Sequence, residues 1–249
     1  EYRRQRQMCI RDRILEADPN QPQALHLLGL IAHQRGENEK AVELITKVLT
    51  IQPDYAEAHC NLGVVQKDLG NSNEAAVSYK KAISINPNFL KAHNNLGIAL
   101  TKLGRFEEAV ARFDKVIALN SDYASAYNNR GVALNDLGRL EEAVSSYEKA
   151  IALKPDYAEA HNNLGAAYQE QGEVDEAVKR VDIALSYEPQ RAGWHIKKTL
   201  FMPIIPYSQD DIVTRRNSLE KSLQTLQELS LIHISEPTRL GRARMPSSA

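Results

Sequence analysis

"PDYAEAHNNLGAAYQEQGEVDEAVKRVDIALSYEP", residues 155–189, divides at Gly172 into two amphipathic segments. In the first, Asp156 reads as an N-cap with Glu159 three residues on, a capping-box arrangement. Gly172 falls where a helix must leave through a left-handed turn. The second segment opens with acidic residues, which suit the positive end of a helix dipole, and it stops before Pro189. Leu164, Tyr168, Val178 and Ala184 recur at helical spacing. Gly165 and Ala177 are small where the two helices are expected to cross, so a larger side chain there would force them apart.

The same text recurs every 34 residues. Gly29, Gly63, Gly97, Gly131 and Gly165 keep that beat, as do Gly36, Gly70, Gly104, Gly138 and Gly172. So do Ala41, Ala75, Ala109, Ala143 and Ala177. Prolines follow at Pro19, Pro53, Pro87, Pro155 and Pro189, with Ser121 the one lapse. Each period encodes two helices of about 14 residues, which are marginal alone in water. Stacked pairs bury their faces against one another, so the pattern predicts an all-α, quasi-one-dimensional solenoid over residues 14–191, with repeats at 22–55, 56–89, 90–123, 124–157 and 158–191.

Leu62-Gly63, Ala75, Tyr79 and Pro87, and likewise Leu96-Gly97, Ala109 and Phe113, resemble the tetratricopeptide repeat (TPR). The resemblance implies a right-handed superhelix of antiparallel helix pairs and a protein- or peptide-binding function. It makes residues 14–19 the end of an earlier second helix. Arg130 departs from the pattern by replacing the leucine before the glycine. Its stem is expected to lie along apolar surface with its head in water.

In this family the first helix of each pair lines a concave groove. Two neighbouring slots there hold mostly asparagine. One contains Cys60, Asn94, Asn128 and Asn162, the next Asn61, Asn95, Asn129 and Asn163. An amide offers both donors and an acceptor, so a ladder of them can hold the backbone of an extended peptide whatever its side chains. In O-linked N-acetylglucosamine transferases, relatives within the family, such a ladder sits at the later slot. The same amides could equally tie adjacent helices together. The Lys and Arg set of the chaperone-binding carboxylate clamp has no counterpart here.

His59, His93 and His161 also repeat, with Tyr127 in the remaining slot. Neighbouring helices lie ~8–10 Å apart, whereas zinc needs nitrogens at ~2.0–2.1 Å, so these histidines read as packing residues and no metal site is expected. Cys60 reads as a small apolar filler. There is no G-x-S-x-G, Walker-type loop, H-E-x-x-H or C-x-x-C, so neither catalysis nor a cofactor is expected of this chain.

The two ends differ from the rest. One DNA encoding Met8-Cys9-Ile10-Arg11-Asp12 reads, in reverse complement, as Leu-Ser-Leu-Ile-His, which is the text of residues 229–233. Residues 1–13 and 229–249 therefore resemble translated sequencing adapters and are set aside from functional reading. The chain carries a net charge of −1. Residues 1–13 hold five Arg and two acids, and residues 229–249 three Arg and one Glu, which leaves residues 14–228 at −6. That balance argues against a nucleic-acid partner. No apolar run approaches the ~18–20 residues that span a bilayer, and two cysteines, Cys9 and Cys60, suit a reducing cytoplasm.

Past residue 191 the repeat text breaks at Trp194, and residues 192–228 read as a capping or linking segment. Pro203 and Pro206 impose extended backbone. Ser208 then reads as an N-cap with Asp211 three on, ahead of a helix carrying Ile212, Leu219, Leu223 and Leu226 on one stripe. "IKKTLFMPIIPYSQDDIVTRRNSLEKSL", residues 196–223, is similar to the junction that joins repeats to catalytic lobes in bacterial SPINDLY-family transferases, and "ALHLLGLIAHQRGENEKAVELI" to their first repeats. The resemblance implies the substrate-recruiting arm of a bacterial O-linked N-acetylglucosamine transferase-like enzyme whose catalytic part lies outside this chain. The alternative is a stand-alone scaffold without enzymatic activity.

Overall fold

The computed structural model describes residues 20–200, with side chains as far as Lys198, and scattered helical positions between Val213 and Thr225. The described residues fall into two compact units, divided between Pro155 and Asp156. The expectations for residues 1–13 and 229–249, for Pro203 and Pro206, for Ser208 and Asp211, and for the stripe through Ile212, Leu219, Leu223 and Leu226 lie outside the described residues.

In the first unit, the described residues form four helix pairs. They are α1 (Pro22–Gln34) with α2 (Asn38–Ile51), α3 (Ala56–Asp68) with α4 (Ser72–Ile85), α5 (Leu90–Lys102) with α6 (Phe106–Leu119), and α7 (Ala124–Asp136) with α8 (Leu140–Leu153). Each helix packs on its pair-mate and each second helix on the first helix of the next pair. In the second unit, α9 (Ala158–Glu170) pairs with α10 (Val174–Tyr187), and α11 (Ala192–Leu200) packs on α10. Every element among the described residues is helical, the all-α stack of pairs that the 34-residue period requires.

The turn within each pair repeats one device. At α5, Gly104 has φ +72°. Its N–H reaches the Thr101 carbonyl at 3.0 Å, and the Arg105 N–H reaches Leu100 at 2.9 Å. These two bonds satisfy carbonyls that the helix end leaves open, and only glycine takes the required conformation at low cost. Gly36, Gly70, Gly138 and Gly172 end their helices in the same way.

Between pairs, the chain is extended. Asn86 (φ −126°, ψ 94°) precedes Pro87, whose ring keeps its neighbour out of the helical region. Asn120 adopts nearly the same backbone, φ −150° and ψ 99°, although Ser121 stands where the other repeats have proline. There the Asp122 N–H bonds to the Asn120 side-chain oxygen at 3.0 Å, the same Asx turn that the Asn88 N–H makes with Asn86 across Pro87 at 3.2 Å.

The capping box expected at Asp156 and Glu159 is not formed. Tyr157 occupies the N-cap of α9 and makes no side-chain cap bond. Asp156 lies one residue outside the helix, where its backbone carbonyl accepts from the Ala158 N–H at 2.9 Å. The helix thus begins one residue later than the sequence pattern indicates.

The core is built from small residues facing large ones. Ala41, Ala75, Ala109, Ala143 and Ala177 are fully buried. Each glycine of the first ladder faces a bulky residue sixteen positions on in its pair-mate, as Gly63 faces Tyr79 and Gly165 faces Val181. In the second unit, Trp194 of α11 joins Ala177, Val181 and Leu185. It caps that cluster with apolar surface where the repeat text has already lapsed.

Candidate functional site

The two asparagine slots lie one residue apart on the first helices, and that offset separates their environments. In the earlier slot, Asn94 and Asn128 are 8% and 1% exposed. In the later slot, Asn61, Asn95 and Asn129 are half-buried. Two of these later residues bond back to the earlier slot of the preceding repeat. Asn129 Nδ2 donates to Asn94 Oδ1 at 3.3 Å. Asn95 acts on the Cys60 thiol, favouring its charged form against the effect of burial. Asn61 Nδ2 donates to His26 Nε2 at 2.9 Å. The same 35-residue offset relates all three pairs in the first unit, and hydrogen bonds span it at Asn61 and at Asn129. In the second unit, Asn162 is buried and its Nδ2 donates to Asn163 Oδ1 at 3.3 Å, while Asn163 is half-buried.

His26, which the sequence reading did not single out, fills the earlier slot of the first repeat. It accepts from Asn61 at Nε2, so its proton sits on Nδ1, which donates to the Tyr55 hydroxyl at 3.1 Å. The rings of His26 and Tyr55 meet edge-on, with centroids 4.9 Å apart. Burial lowers the His26 pKa, against the opposing charge of Glu57. At the later slot of that repeat stands Leu27, 54% exposed. The amide line therefore begins at α3 and is preceded by an apolar residue.

The repeating histidines serve the connections between pairs. Nε2 of His59 and of His93 donates to the carbonyls of Pro53 and Pro87, each at 2.9 Å. His195 makes the same contact with Pro189, so α11 keeps this feature after the rest of the repeat text is lost. Tyr127 takes the histidine slot just after the connection in which Ser121 replaces proline. No group of three or more potential metal ligands occurs among the described residues.

Cys60 is 3% exposed, and burial pushes its thiol up to about 11. Arg130 does not leave its head in water as expected. Its Nε donates to Asp114 Oδ1 and its Nη1 to Ser146 Oγ, both at 2.7 Å, so the guanidinium bridges α6 and α8. No described helix is long and apolar enough to cross a membrane.

Comparison with known families agrees with this geometry. A TPR repeat model matches residues 29–70, 97–138 and 133–172, and two tetratricopeptide repeat models match 56–89 and 78–111. Comparison with curated proteins gives no match. Among solved structures, MamA is 32% identical, with a TM-score of 0.60 over 66% of this chain and 96% of that one. A thermophilic TPR protein of Thermus thermophilus is 25% identical, with a TM-score of 0.60 over 72% of this chain and 98% of that one. YrrB shares the fold at 23% identity and a TM-score of 0.62, over 76% of this chain and 97% of that one. With the 34-residue period, the glycine turns and the paired helices, these matches place the chain in the tetratricopeptide repeat family.

Proposed function

We propose that this chain is a protein-binding repeat module whose first-helix face holds an extended peptide through Asn61, Asn95 and Asn129. The observation that carries this reading is the tie that Asn61 and Asn129 make to the preceding repeat. The tie uses one amide donor and fixes the side chain's direction. A second N–H and the carbonyl oxygen remain for a ligand. Orientation set before binding lowers the entropy lost when a ligand arrives. Asn94 and Asn128, being buried, hold the line in place rather than touch the peptide. YrrB, alike in fold, is described as a TPR protein with an unusual peptide-binding site. The test is a titration of the full chain with a selected peptide, following side-chain amide signals by NMR. Signals of Asn61, Asn95 and Asn129 move together under this reading, and a bound peptide that leaves all three unmoved overturns it.

The finer reading is a recruiting arm for a bacterial O-linked N-acetylglucosamine transferase-like glycosyltransferase in the cytoplasm. It rests on the likeness of residues 196–223 to the junction in SPINDLY-family transferases. Sequencing the parent DNA beyond Glu228 decides it. A reading frame that continues without any glycosyltransferase-like region leaves a stand-alone scaffold instead.

A further inference from the structure

Four residues in each first helix of the first unit, spaced 4, 3 and 4 apart, fall on one stripe that includes the later asparagine slot. Read across the repeats, the stripes differ in charge. In α1 the stripe is Gln23, Leu27, Leu30 and Gln34, without charge. In α3 it begins with Glu57 and ends with Asp68. In α5 it begins with Lys91 and ends with Lys102. In α7 it begins with Ser125 and ends with Asp136.

Asp68 is already engaged, by His33 at 2.9 Å and Lys67 at 3.2 Å. Glu57, Lys91 and Lys102 are exposed and form no ion pair among the described residues. Glu57 and Lys91 hold the same position, 34 residues apart, on the stripes of successive first helices. Lys91 and Lys102 stand roughly 16 Å apart along α5, with Asn95 and Ile98 between them. Interleaved charges of both signs disfavour a uniformly charged polymer or membrane surface and suit a ligand that alternates in sign.

We propose that this face selects an extended peptide with an acidic residue over α5 and a basic residue over α3, about three residues apart, and an apolar residue a further three along over Leu27. The spacing follows from first helices ~8–10 Å apart and an extended chain that rises ~3.3 Å per residue. The inference rests on the peptide-binding reading above and specifies the ligand of that site.

The test is selection of a random twelve-residue phage-displayed peptide library on the full chain, and on K91E/K102E and E57K variants checked for unchanged helicity. The expected enrichment is an acidic and a basic residue about three apart. The K91E/K102E variant weakens the selected peptide about tenfold or more, and exchanging the peptide's acidic residue for lysine restores binding. Peptides that bind with no charge preference, or bind the K91E/K102E variant equally well, overturn this inference and leave the amide reading standing. A library from which nothing is enriched overturns both.

Discussion

A Cβ built on Gly97 would lie 2.6 Å from Cε1 of Phe113, closer than real side chains approach. The buried ring of Phe113 leaves no room between α5 and α6, so Gly97→Ala is expected to destabilise the chain by about 1–3 kcal/mol through overpacking. Shortening the ring partner, as in Phe113→Val, makes the same glycine change milder. A double-mutant cycle in urea measures that coupling. Gly104→Ala costs about 1–2 kcal/mol for a different reason, its φ of +72°. No heavy atom lies within 4 Å of its Cβ position, so that cost does not respond to Phe113.

His26 and His93 are both held below the usual histidine range, chiefly by burial. Glu57 opposes the shift at His26, and the Pro87 carbonyl opposes it at His93, where Arg112 and Lys115 reinforce it. The unfolded chain therefore takes up protons at these groups before the folded chain does. Their contribution is fully present above a pH of about 6.5 and is lost as the pH falls below it. The urea midpoint should drop between pH 7.5 and 5, and the drop should shrink in a variant with His26→Gln and His93→Gln. A drop of unchanged size in that variant would remove both groups from the account.

Burial that pushes the Cys60 thiol up to about 11 makes it a poor nucleophile in the folded chain. Iodoacetamide should modify Cys60 about a hundredfold more slowly than an unfolded control, as read by peptide mass spectrometry, which separates it from Cys9. Labelling at the unfolded rate would show that α3 opens readily.

Arg130 occupies a slot that holds leucine in neighbouring repeats, and its head is paired with Asp114 at 2.7 Å. Asp114 is 52% exposed, so water can replace the arginine as its partner. Arg130→Leu is expected to leave stability unchanged or raise it by up to about 1 kcal/mol. A melting temperature lowered by several degrees would assign the Asp114–Arg130–Ser146 bridge a larger structural share.

The scaffold was legible because it is repeated. Gly97, Ala109 and Phe113 carry one packing solution, and five copies of its spacing in the chain announce it. Turn glycines such as Gly104 were equally plain, because their backbone requirement is local. The start of α9 was misplaced by one residue because Asp156 is a good capping residue by type, while the turn there is held by its backbone carbonyl instead. The amides had two readings in sequence. Which atom Asn129 touches depends on a helix 35 residues away, and the tie to Asn94 emerges only when the pairs stack. His26 was missed because it stands alone in its slot. His195 was missed because the leucine and glycine positions around it had already changed, although its spacing from His161 is still 34.

The most direct test of the central claim is the affinity of the full chain for a library-selected peptide, compared with that of the N95A/N129A variant, with thermal melting of both proteins measured alongside. Loss of two amide contacts to the peptide backbone predicts an affinity lower by about tenfold or more, with the helical stack still folded at the measuring temperature. Unchanged affinity in a folded double variant would contradict the account and leave the amides as ties between repeats only.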